Sequence, residues 1–127
     1  GDIAAEQARA ARARYEAAKL KLFYQVKSAY AEYYYLGRAI DVVAKTRGLI
    51  VYLEQVAQTR YAAGSAAHAD VIRAQVELAT LDDRLTALRT LRPAVMARLN
   101  AAMNLGNSWS ADNINASEKG EPNVEKV

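Results

Sequence analysis

Cysteine is absent from this 127-residue chain, and its absence excludes disulfides, thiolate zinc sites, iron–sulfur ligation and cysteine catalysis together. The redox compartment stays open, because a helical protein in an oxidising periplasm needs no disulfide. Proline occurs twice and glycine six times, too rarely for a loop-rich or collagenous chain. One phenylalanine and one tryptophan argue against a globular core of ordinary thickness. A single histidine, His68, and no glycine-rich phosphate loop leave no catalytic residues, no metal site and no cofactor to assign. No stretch reaches the about 18 apolar residues a spanning helix needs; the longest strong run is Leu49-Ile50-Val51-Tyr52-Leu53. The N-terminus lacks the short apolar block of a signal peptide. A net charge of +3, with the arginines scattered among acids, gives no basic stripe for nucleic acid.

Alanine is what the chain has in excess. It supplies 27 residues, and alanine, glutamate, lysine, leucine and arginine together supply 64 of the 127, the mix of long helices or coiled coil. From Asp2 to Tyr61 there is no proline, and Gly37 and Gly48 lie inside a pattern that continues on both sides. This predicts one helix over 2–62, spanning roughly 90 Å at ~1.5 Å per residue. Gly64 ends it in a turn over 63–66, with Ser65 placed to cap the next helix. A second helix is predicted over 67–104, ending at Asn104-Leu105-Gly106-Asn107. The hairpin would thus occupy 1–106, and the polar residues 107–127 are expected to be a disordered tail.

The apolar period gives the architecture. In the first helix Leu22, Val26, Ala29, Tyr33, Leu36, Ile40 and Val43 recur at the spacing of a coiled-coil seam, which resumes at Ile50 and Ala57. In the second, Val71, Ala74, Leu78, Leu81, Leu85, Leu88, Val95, Leu99 and Ala102 do the same, interrupted only by Arg92. Two such seams joined by a short turn predict an all-α, long antiparallel helical hairpin of coiled-coil type. The first helix carries a second stripe about 100° around its surface: Tyr35, Ala39, Val42, Leu49, Leu53 and Val56, with Thr46 its polar member. A lone hairpin needs one stripe per helix, so the second implies another neighbour; the alternative is a single stripe that drifts as the helix bends.

Four other features have two readings each. Tyr24, Tyr30, Tyr33, Tyr34 and Tyr35 crowd one segment, suiting packing against several helices or an aromatic belt at a membrane surface. Asp82 and Asp83 point about 100° apart on a helix and read as a solvated face, not a carboxylate pair. Pro93 interrupts the second helix, either to curve it or as a tolerated accident. His68 reads as a solvated tip residue, with metal binding or pH sensing as the minor reading.

At the turn the residues resemble a known family. Arg60-Tyr61-Ala62-Ala63-Gly64, then Asp70-Val71-Ile72-Arg73-Ala74-Gln75, and later Leu99-Asn100, are similar to the outer membrane efflux proteins, the TolC-like outer membrane factors. The resemblance implies one helical hairpin from a periplasmic α-barrel, in a protein that continues into an outer-membrane β-barrel and assembles as a homotrimer. It implies a non-enzymatic transport role, as a periplasmic tunnel segment of a tripartite efflux or type I secretion system in a Gram-negative bacterium. Membrane contact would come only through parts outside this chain. The hairpin tip would dock a periplasmic adaptor, the membrane fusion protein, coupled to an inner-membrane pump. Tyr61, Gly64, Ser65 and Asp70 fall at that tip, where they serve either adaptor contact or the turn alone. Two positions depart from the pattern: Ser65 stands where relatives carry an apolar residue, and Ala67 where they carry serine or threonine. On residues alone the alternative is a stand-alone coiled-coil interaction module. A helical-bundle metal enzyme would need paired Glu-x-x-His motifs, which one histidine cannot supply.

Overall fold

The computed structural model describes residues 1–118. Two helices account for nearly all of them: α1, Asp2–Ala62, and α2, His68–Glu118, packed against each other as an all-α hairpin. No strand occurs among the described residues. The chain divides into two compact units, one formed by Tyr33–Ala94 and the other by Gly1–Glu32 with the part from Val95 onward.

In the unit that contains the turn, Val43, Leu81 and Leu85 are buried together, with Ile40, Ala44, Ile50 and Leu88 packed around them. Val71 is buried nearer the turn, and Tyr33, Leu36 and Leu78 are half-buried. Each buried leucine or valine contributes about 1.5–3 kcal/mol by leaving water, so these few residues supply most of the cohesion of a two-helix layer. The same spacing leads through two polar residues, Arg47 and Glu54, and each finds a partner across the seam. Arg47 donates from Nε and Nη2 to the Asp82 carboxylate, and Gln75 donates to Glu54 at 3.2 Å. The later residue of α1 meets the earlier residue of α2, which is the antiparallel order.

Asp82 is exposed, as its reading as part of a solvated face expects, and it also takes a partner across the seam. A charge at a seam position of α1 calls for a counter-charge on α2, and Asp82 provides it. The hydrogen bond from Arg47 holds the Asp82 carboxyl below the ordinary aspartate range, and the same bond raises Arg47. A carboxylate whose pKa is lower folded than unfolded favours folding above the unfolded value, about 3.9. That contribution is lost as pH falls through the lower, folded-state value. Asp82→Asn is thus expected to lower the thermal midpoint slightly above about pH 5, with the variant and parent curves converging at acid pH. Parallel curves over the whole range would show that the pair does not contribute in this way.

In the other unit the seam is made of smaller residues. Ala29, Val95 and Ala102 are buried, and Leu22, Val26 and Leu99 half-buried. Arg98 Nη1 reaches Glu32 at 3.1 Å, and Tyr15 packs on Trp109 with ring centroids 5.6 Å apart. This last contact corrects the expected end of the second helix. Gly106 is not left-handed, since among the described residues Gly64 alone has a positive φ, so nothing at Asn104–Asn107 turns the chain. The seam spacing runs on from Ala102 through Gly106 to Trp109, and α2 continues to Glu118. Of the expected tail, residues 107–118 are helical and 119–127 lie outside the described residues. Pro93 is accommodated within α2 without ending it.

Candidate functional site

Two features of the turn-bearing unit are candidates: the tip itself and the second stripe of α1.

The tip is built by a specific termination of α1. Gly64 has φ +72°; its N–H donates to the Tyr61 carbonyl at 2.9 Å, and the Ser65 N–H donates to the Arg60 carbonyl at 2.9 Å. That pair of bonds is the Schellman motif, with the left-handed glycine just past the helix end. Any L-residue at Gly64 would pay roughly 1–2 kcal/mol for the left-handed backbone. A Schellman turn commonly seats an apolar residue where this chain has Ser65. Here the Ser65 hydroxyl instead donates to the Arg60 carbonyl at 3.0 Å, doubling a bond the backbone already makes. Ser65 therefore closes the end of α1, and the expectation that it caps α2 is corrected. The first turn of α2 opens with the Asp70 N–H donating to the Ala67 carbonyl at 3.1 Å.

Tyr61 and His68 face each other across this turn, ring centroids 4.9 Å apart and tilted by 44°. Tyr61, Gly64, Ser65 and Asp70 are all exposed. Asp70 lies in the first turn of α2, where its charge is favourable to the helix N-terminus, and it pairs loosely with Arg73 at 3.9 Å. The tip thus presents a hydrogen-bonded backbone knuckle, one aromatic pair and one carboxylate. Among the described residues no group of His, Cys, Asp or Glu is arranged to hold a metal ion.

The second stripe of α1 lies open. Tyr35 is 69% exposed, Val42 57%, Leu49 58% and Leu53 47%, while Val43, beside Val42 in sequence, is 6% exposed. Val56 is half-buried. The contrast follows from helix geometry: the stripe sits one residue before the seam at each step, hence about 100° away from α2. Tyr24, Tyr30 and Tyr34 are also exposed, so of the five crowded tyrosines only Tyr33 packs into the hairpin. No described helix is long and apolar enough to cross a membrane.

Sequence spacing pointed to the tip glycine and to both stripes, but it missed Arg47 and Asp82 as partners. The available signal was the charged interruption of an apolar seam. Comparisons with known proteins bear on the whole hairpin. No curated protein and no solved structure gives a significant match. The family model described as outer membrane efflux protein matches residues 2–105, a stretch that takes in α1, the tip and most of α2. A match of that extent, over helices that pack as a hairpin, makes this chain a member of the outer membrane efflux protein family, a family of transport channels.

Proposed function

We propose that this hairpin is a segment of the periplasmic tunnel wall of an outer-membrane efflux channel, that it is not an enzyme, and that its tip docks a periplasmic adaptor. The observation that carries the reading is the doubled stripe of α1. One stripe is covered by α2, while the other, Tyr35, Val42, Leu49 and Leu53, is apolar and open. A helix in a closed wall has a neighbour on each side, and a wall one helix thick has no central core to fill. The alanine-rich composition supports the same arrangement, because small side chains let long helices run close together. In the full-length homotrimer the open stripe packs against the next hairpin of the wall.

The tip reading rests on exposure and on the hydrogen-bonded turn. Gly64 offers backbone to a partner without a side chain in the way, and the Schellman bonds hold it in one conformation. Through the adaptor the channel is coupled to an inner-membrane pump. The test is made in the full-length protein with Ser65→Glu, which keeps the glycine and its turn but places a charge at the knuckle. Cross-linking to the adaptor and export are expected to fall together, while trimer assembly and helix content hold. Adaptor cross-linking at the parent level would remove the tip from the docking surface.

A further inference from the structure

The seam of α2 has one charged member. Steps of three and four residues lead from Leu81 and Leu85 through Leu88 to Arg92; Leu81 and Leu85 are buried and Leu88 half-buried, whereas Arg92 is exposed. Beside Arg92, α1 carries Gly37, one of its two interior glycines with Gly48, in a chain rich in alanine. Glycine there weakens the helix relative to alanine. Its φ is not left-handed, and a Cβ added at Gly37 would meet nothing within 4 Å. Neither backbone strain nor close packing requires glycine at this point, so what it leaves is room. Tyr33, Tyr34, Leu36, Gly37, Arg38 and Arg92 line a cavity of about 220 Å³ there.

The cavity is lined by two guanidinium groups and no carboxylate. Arg47 is held by Asp82 and Arg98 by Glu32. Arg38 and Arg92 line the same cavity, and among the described residues neither takes part in an ion pair. Aromatic and aliphatic walls with two uncompensated guanidinium groups define the chemistry of an occupant: a flat apolar body carrying one negative charge.

We propose that this cavity binds a small planar organic anion, an aromatic carboxylate or sulfonate. Its ring lies against Tyr33, Tyr34 and Leu36, and its anionic group is taken by Arg38 and Arg92. Guanidinium suits the task because its planar fork donates two parallel hydrogen bonds to a carboxylate or sulfonate. The cavity is smaller than the ~300–1,000 Å³ pockets that hold drug-sized molecules, so the ligand is a single ring or a fused pair. The site lies within one hairpin and does not depend on the conduit reading.

The test titrates the 127-residue chain with 2-naphthoate and, separately, with the neutral 2-naphthalenemethanol, following tyrosine fluorescence and the Gly37 amide resonance. Naphthoate is expected to bind saturably and to shift Gly37, and the neutral analogue to bind at least about tenfold more weakly. Arg92→Met and Arg38→Met should each weaken naphthoate by about tenfold or more, the loss expected for a charge-assisted contact. Arg84→Met, remote from the cavity, should leave it unchanged. Methionine at position 92 restores an apolar seam member, so circular dichroism is expected to show helix content intact. Absence of saturable naphthoate binding, equal binding of the neutral analogue, or parent-level affinity in both arginine variants would overturn the proposal.

Discussion

Replacing Leu49 and Leu53 together by glutamate in the full-length protein is expected to abolish the assembled channel while leaving the hairpin folded. Both leucines lie on the open stripe, 58% and 47% exposed in the single chain, so two carboxylates there cost the isolated hairpin little. In a closed wall the same positions meet a neighbouring helix. Burying an unpaired carboxylate costs several kcal/mol, and even about 3 kcal/mol per interface lowers association by roughly a hundredfold. Trimer recovery by size-exclusion chromatography and export should both collapse. Circular dichroism of the 127-residue chain should be unchanged. Normal trimers carrying both glutamates would mean that this stripe faces water in the assembly, and the wall reading would lose its main support.

Leu85→Ala is expected to destabilise the turn-bearing unit by about 2–5 kcal/mol, the range for a buried leucine cut to alanine with incomplete collapse of the cavity. Leu85 belongs to the cluster with Val43 and Leu81. In a layer only two helices thick no second shell can close over the gap, although water reaches it easily and moderates the upper end. Against a total stability of roughly 5–15 kcal/mol for a natural domain, that is a large fraction. The control is Val76→Ala on the exposed side of α2, which should change stability by no more than about 0.5 kcal/mol. Urea unfolding followed by helix signal separates the two. Equal effects would show that the seam is not the source of cohesion.

The alanine excess and the seven-residue period were enough to anticipate two helices, their junction at Gly64 and the residues of both seams. These signals are local: a period can be read along one helix without knowing where the other lies, and a left-handed glycine ends a helix in most contexts. The same locality explains the failures. Asp82 is solvated as expected, but its pairing with Arg47 was not legible, because Arg47 lies on the other helix and only the inter-helix register brings the two together. Ser65 is a good N-cap in isolation, yet the Schellman turn directs its hydroxyl to the Arg60 carbonyl. Asn104-Leu105-Gly106-Asn107 has the composition of a helix end, but α2 runs past it and Trp109, one heptad beyond Ala102, packs against Tyr15.

By itself, then, the sequence determined the class of structure, the face each helix would bury and the existence of a stripe that the hairpin cannot cover. Those are consequences of periodicity and of glycine's access to left-handed backbone, both properties of neighbouring residues. Tertiary structure decided which charges are matched and which are not. Arg47 and Arg98 meet carboxylates, whereas Arg38 and Arg92 share a cavity over Gly37 without one. Charge matching depends on the axial register of two antiparallel helices, which a shift of a few residues would rewrite while leaving every heptad intact.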